Sequence, residues 1–138
     1  MTRPSFDEYF LGVSEAVSVR SSCVRRKVGA VVVNNRRIVA SGYNDSPAGM
    51  PGCEACPRRT SSVPPGSSYD TGPGPCVAIH AEANALLHCN REDLVGSTLY
   101  LTDEPCDGCM KLIMGAGVAR VVWEGGSIGI YGTVPDPR

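Results

Sequence analysis

The chain has no excess of charge of one sign: 13 basic residues stand against 14 acidic ones, a formal net charge of −1 over 138 residues. A general electrostatic attraction to nucleic acid or to an anionic membrane surface is therefore not written into it. No apolar run approaches the roughly 20 residues that a helix needs to cross a bilayer. The opening stretch MTRPSFDEYF is acidic and amphipathic, without the apolar centre of a secretory signal. Together these absences predict a cytoplasmic protein with no membrane partner. No internal repeat is visible, and residues 1–138 read as a single domain, long enough for a real hydrophobic core.

Cysteine, by contrast, is plentiful, with seven in the chain. In a reducing compartment these are expected to be metal ligands or buried thiols rather than disulfides. Around them the elements alternate. Ser5 and Glu8 form a capping-box pair, and Phe6, Tyr9, Phe10, Val13 and Val17 recur at helical spacing, which predicts a helix over 5–20. VGAVVV (28–33) and RRIVAS (36–41) flank Asn34-Asn35 and predict a tight hairpin. Their β-branched content suits a sheet covered on both faces. Residues 43–79 are dense in proline, glycine and serine, an irregular insertion of the kind that is usually functional or flexible. Order resumes with a helix near 80–89, a strand over 98–102, a helix near 106–115 and a strand over 120–123. That α-β-β-α-β-α-β order predicts a mixed sheet with helices packed on its faces.

Two short motifs carry the chemistry. In PCVAIHAEANALL, His80 and Glu82 would point about 200° apart within one helix. They can meet only if His80 lies at the helix start. In TDEPCDGC, Pro105 suits a first helical turn and puts Cys106 and Cys109 at a helix N-terminus, where positive potential favours thiolates. Two thiolates and an imidazole are three zinc ligands, and three protein ligands with an open fourth position is the arrangement of a catalytic site. Glu82 is then not a ligand but a general acid–base group beside an activated water. The alternative is a structural zinc held by His80, Cys106, Cys109 and either His88 or Cys89, with Glu82 an ordinary solvated residue. The cost of burying a carboxylate at an otherwise apolar helix start argues against that role.

The ordered pair of motifs, His-x-Glu then Pro-Cys-x-x-Cys, resembles the signature of zinc-dependent nucleobase deaminases. With RSSCVRRKVGAVVV, SGYNDSPAG, HAEANAL and TLYLTDEPCDGCMKLIMGAGVARVV in this order, the chain resembles the deoxycytidylate deaminase branch of the cytidine deaminase-like superfamily over residues 5–123. The resemblance implies a three-layer α/β/α sandwich with a mixed sheet of about five strands. It also implies one catalytic zinc on His80, Cys106 and Cys109, proton transfer by Glu82, and hydrolytic deamination of an aminopyrimidine, with dCMP the leading substrate. A free nucleoside, a modified base or a biosynthetic intermediate would need the same catalytic residues. Family members are generally homo-oligomers, and one is expected here.

By the same resemblance Asn44 contacts the substrate's sugar; by its own context in YNDSP it is a turn residue. The main chain near Ala81 is a candidate to orient the leaving amine. A phosphate could meet Arg20, Arg25, Arg26, Lys27, Arg58 or Arg59, with Arg26 the single choice because it leads into the first strand; the other reading is a solvated basic face. Asp45 stands where the family's GYNG has its last glycine. A transfer-RNA adenosine deaminase shares the HAE and PCxxC blocks, but the near-neutral charge disfavours RNA as a partner. A zinc-stabilised interaction module is the non-enzymatic alternative. Cys23, Cys53, Cys56 and Cys76 could close a second, structural zinc site that fixes the Pro/Gly-rich insertion; otherwise they are buried or free thiols. The resemblance supports the Cys23 and Cys53 positions, although Gly52 replaces a usual histidine. Cys89 is assigned to the core.

Overall fold

The computed structural model describes residues 2–23, 25–50, 52, 64 and 76–130. Cys53, Cys56, Arg58 and Arg59 lie outside the described residues.

The predicted first helix forms as α1 (Phe6–Ser18) with both arms of its capping box closed: the Glu8 amide donates to Ser5 Oγ at 3.1 Å and the Ser5 amide to Glu8 Oε1 at 3.2 Å. The apolar spacing turns Phe10 inward, with Leu11, Val13 and Val17 beside it. Phe6 and Tyr9 are half exposed, which departs from the expected inward stripe. Phe6 instead lies under the Arg36 guanidinium, 4.8 Å from its ring centre.

The hairpin is β1 (Gly29–Asn34) against β2 (Arg37–Tyr43). Its turn residues are Asn35 and Arg36, at φ 50° and 62°, one position beyond the expected Asn34-Asn35. A two-residue turn whose central residues are both left-handed matches the twist of the flanking strands. Asn34 stays in the ladder opposite Arg37, and its side-chain amide donates to the carbonyls of Asp93 and Val95. The pairing skips Val39, a bulge in β2. β1 is buried from Gly29 to Val33 as expected, whereas β2 buries only Gly42. The reason is position: the sheet order is β2-β1-β3-β4-β5, so β2 is an edge.

The remaining elements are α2 (Ala81–Leu87), α3 (Arg91–Leu94), β3 (Thr98–Leu101), α4 (Asp107–Ala116), β4 (Arg120–Trp123) and β5 (Gly126–Gly129). β3 runs antiparallel to β1 and parallel to β4, with α4 as the crossover between the parallel pair. Gly117, at φ 89°, ends α4 in the left-handed conformation that glycine adopts without steric cost. The spacing of apolar residues did not predict α3 or β5. One is a single turn, and the other, Gly-Ser-Ile-Gly, has a lone apolar side chain.

Alternation along the inner strands builds three layers. Ala30, Val32, Leu99, Leu101 and Val121 face one side and pack with Ala81, Ala85 and Ile113 of α2 and α4. Val31, Val33, Tyr100 and Val122 face the other side and pack with Phe10 of α1. The sandwich is thus α/β/α around a mixed five-stranded sheet, the fold expected from the resemblance. Two glycines permit the close approach. A Cβ at Gly29 would lie 2.0 Å from the Ser14 carbonyl oxygen of α1, and one at Gly42 would lie 2.5 Å from the Ala85 nitrogen and 2.6 Å from the Ala81 oxygen of α2.

Candidate active site

His80 is the N-cap of α2, extended at φ −62° and ψ 150°, so it is outside the helical rotation that would have turned it from Glu82. Its carbonyl accepts the first helical bond from the Asn84 amide at 2.9 Å. On its other side, Ile79 exchanges two main-chain hydrogen bonds with Asp45, at 2.7 and 3.2 Å. The Asp45 carboxylate is itself engaged by the Ser22 hydroxyl and the Ser46 amide. The Asn84 side chain donates to the Tyr43 carbonyl at 2.8 Å and ties α2 to the end of β2.

Cys106 is the N-cap of α4, and its Sγ accepts from the Cys109 amide at 3.4 Å. Pro105 precedes the helix rather than opening it, two positions before the first helical residue, Asp107. The two N-termini converge: His80 Nδ1 lies 3.2 Å from Cys109 Sγ and 3.7 Å from Cys106 Sγ. The donor atoms of all three residues lie within 4.8 Å of one another. Zinc–sulfur bonds of about 2.3 Å and zinc–nitrogen bonds of about 2.0–2.1 Å at tetrahedral angles put such donors roughly 3.6–3.8 Å apart. The residues present therefore fit one zinc ion.

Glu82, in the first turn of α2, is buried, within hydrogen-bonding reach of Cys109. Burial first, and then the charge of Glu82 and the contact with Cys106, push the Cys109 thiol far above the usual thiol range. A divalent cation among the three donors would reverse that balance. No other His/Cys/Asp/Glu group among the described residues is close enough to share an ion. His88 is exposed, with Nδ1 on the Asn84 carbonyl at 2.8 Å, and Cys89 packs at the edge of the core, its thiol pushed up by burial and by Asp93. Neither joins the three donors as a fourth ligand. Cys23 and Cys76 are half-buried, and the other two cysteines of the expected second zinc site lie outside the described residues.

The remaining candidates border this end of the sheet. Asn44 is buried; its Oδ1 accepts from the Val28 amide and its Nδ2 donates to the Arg26 carbonyl, each at 2.8 Å. It is therefore a clamp on the segment that leads into β1. Arg26 points its Nε to Asp103 Oδ2 at 2.8 Å, in the loop that leads to Cys106. Ala81 is buried, with its carbonyl against Gly42. Asp103 and Gly42 were not singled out by sequence reasoning. Asp103 is 77 positions from its partner, and a glycine required for packing has no local signature.

A buried carboxylate that is not itself a donor, set against an imidazole and two thiols at paired helix starts, marks the class of zinc-dependent deaminases. The family model described as the cytidine and deoxycytidylate deaminase zinc-binding region matches residues 4–124, and the chain belongs to that family. It is 58% identical over 124 residues to a deoxycytidylate deaminase of Mycobacterium phage D29, covering 89% of this chain and 97% of the relative. A deoxycytidylate deaminase of Schizosaccharomyces pombe is 38% identical over 88% of this chain, which spans 38% of that longer relative. Among solved structures, the dCMP deaminase of cyanophage S-TIM5 in complex with dCMP and dUMP superposes with a TM-score of 0.65 at 32% identity, over 89% of this chain and 83% of that one.

Proposed function

We propose that the protein hydrolyses dCMP to dUMP and ammonia, with His80, Cys106 and Cys109 holding one zinc ion and Glu82 carrying the protons. The observation that bears most weight is the buried Glu82 carboxylate beside three converged donors. Similarity to the phage D29 and S-TIM5 deaminases supports the choice of substrate.

Zinc held there would supply Lewis acidity, lowering the pKa of a water molecule from about 15.7 to about 7. Glu82 takes the proton of the attacking water and passes it to the pyrimidine ring nitrogen. It then delivers a second proton from that water to the departing amine, so that water adds, the carbon–nitrogen bond breaks and ammonia leaves. Burial suits Glu82 to this work, because a proton carrier shielded from bulk water exchanges with the substrate rather than with solvent. The Ala81 main chain lies between the proton carrier and His80 and borders the amine. Asn44 has a second amide hydrogen for a sugar hydroxyl, and Arg26 meets the 5′-phosphate.

Thiol ligands are consistent with residence in a reducing cytoplasm. Self-association belongs to the same reading. Leu87 and Leu112 are exposed beside an apolar groove of about 410 Å³ between α2 and α4. Sedimentation velocity tests it, a monomer at all concentrations being the contrary result. The substrate is tested by ammonia release from cytosine, cytidine, deoxycytidine, CMP, dCMP and a guanine or triazine analogue. The expected order places dCMP first; a nucleoside or free base turned over in preference would replace it.

A further inference from the structure

Two consecutive serines grip two consecutive residues just beyond β2. The Ser21 hydroxyl donates to the Asn44 carbonyl at 2.7 Å, and the Ser22 hydroxyl donates to Asp45 Oδ1. The same Asp45 oxygen accepts from the Ser46 amide at 2.9 Å. The Asp45 main chain then exchanges hydrogen bonds of 2.7 and 3.2 Å with Ile79, the residue before His80. This bridge is a single residue pair outside the strands of the sheet. It joins positions far apart in the chain, so closing it costs loop entropy, and so small a pairing is marginal unless its partners are held. We infer that Asp45 is a positioning residue for the metal ligand His80: its clamped side chain fixes the bridge to Ile79 and so sets where the imidazole stands over the two thiols. The inference rests on the zinc site proposed above.

His80 has particular need of such support. As the N-cap it lies outside the helical rotation of α2, and its side chain makes no capping bond. Its Nδ1 is directed at Cys109 and Cys106, and no residue among those described hydrogen-bonds its Nε2. Metal-binding histidines are commonly aimed by a hydrogen bond on the second ring nitrogen. In this chain the aim comes through the main chain, from Ile79. Helix α2 is tied separately, by the Asn84 side chain on the Tyr43 carbonyl and by its close packing on Gly42. Loss of the clamp therefore loosens His80 and leaves Glu82 where it is. Asp45 also carries negative charge, which attracts a cation whether or not the clamp forms. Clamp and charge separate in Asp45→Asn, which keeps the Oδ1 acceptor and removes the charge.

The test starts from the zinc-loaded full chain and measures how zinc partitions between the protein and a chelating dye, with Tm followed alongside. Asp45→Ala is expected to weaken zinc binding by about tenfold, the lower end of the range for residues that stand behind a metal ligand. Asp45→Asn should hold zinc as wild type does. Ser22→Ala, which removes one of the two donors to Oδ1, should fall between and carries the test if Asp45→Ala does not fold. Asp7→Asn, on the opposite face of the sheet, should lower Tm and leave the partition unchanged. With cobalt in place of zinc, the ligand-field bands should shift in Asp45→Ala and keep their wild-type position in Asp45→Asn. A wild-type partition in Asp45→Ala, or in Ser22→Ala should the first not fold, overturns the proposal. So does Asp45→Asn as weak as Asp45→Ala, which makes charge the cause, or an equal weakening in Asp7→Asn, which makes general stability the cause. A His80→Ala variant that holds zinc as tightly as wild type removes the ligand set beneath the proposal instead.

Discussion

At the scale of single residues, the separation between holding the metal and moving the proton can be read out by substitution. Glu82→Gln removes the proposed proton carrier and keeps its shape, so zinc content should hold while turnover falls by about 10²–10⁴-fold, the range typical of general acid–base catalysis. Turnover within a few-fold of wild type would remove Glu82 from the chemistry. Cys106→Ala or Cys109→Ala leaves two donors of the three that converge within 4.8 Å, and both zinc and activity should be lost on dialysis, as metal analysis would show. Zinc content equal to wild type would contradict the ligand set. These residues were legible in the sequence because each half of the site is local. His80 and Glu82 are two apart, Cys106 and Cys109 three apart, and each pair opens a helix. Asp103 was not legible, since nothing near it in the chain points to Arg26.

At the scale of elements, the site depends on how closely α2 can approach β2. Gly42 has no room for a methyl group, with Ala85 and Ala81 main-chain atoms at 2.5 and 2.6 Å from where it would stand. Gly42→Ala should push α2 outward, destabilise the fold by about 1–3 kcal/mol, and move His80 and Glu82 with the helix. A displacement near 1 Å can cost about 10²-fold in rate. Gly115→Ala, at an exposed position of α4 with open space around it, should leave Tm equal or higher. Equal activity in both variants would show that the approach of α2 is not critical. On the opposite face, Asp7 of α1 accepts from both terminal nitrogens of Arg120, at 3.0 and 2.6 Å, and from the Tyr100 hydroxyl at 2.7 Å. The bond from Arg120 first, with help from Tyr100 and against a burial penalty, holds the Asp7 carboxyl below its ordinary 3.8. A lowered carboxylate contributes stability that is fully present above pH 3.8 and is lost as pH falls through the folded value. Asp7→Asn should therefore destabilise by about 1 kcal/mol or less at neutral pH, given that more than a third of each partner is exposed, and the gap to wild type should close in acid. A gap that widens in acid would contradict the sign. Sequence spacing placed the long helices and inner strands, whose apolar residues recur with a clear period. It misplaced the hairpin turn by one residue, because the anchoring of Asn34 by the carbonyls of Asp93 and Val95 is a tertiary contact.

At the scale of the whole molecule, the sheet divides two tasks. One face, with α1 and the Asp7–Tyr100–Arg120 cluster, is structural; the other carries α2 and α4, whose N-termini meet where the donors converge. The mixed sheet with helices on its faces was readable from the order of elements, while the full three-layer sandwich and its five strands came with the family resemblance. The edge position of β2 was not readable, because burial of a strand depends on neighbours distant in sequence. The most direct measurement is conversion of dCMP to dUMP by the protein stripped of metal and then titrated with zinc. Activity should be absent in the stripped protein, rise with added zinc until the site of His80, Cys106 and Cys109 is filled, and yield one ammonia per dUMP. A fully zinc-loaded, folded chain that leaves dCMP unchanged would contradict the account.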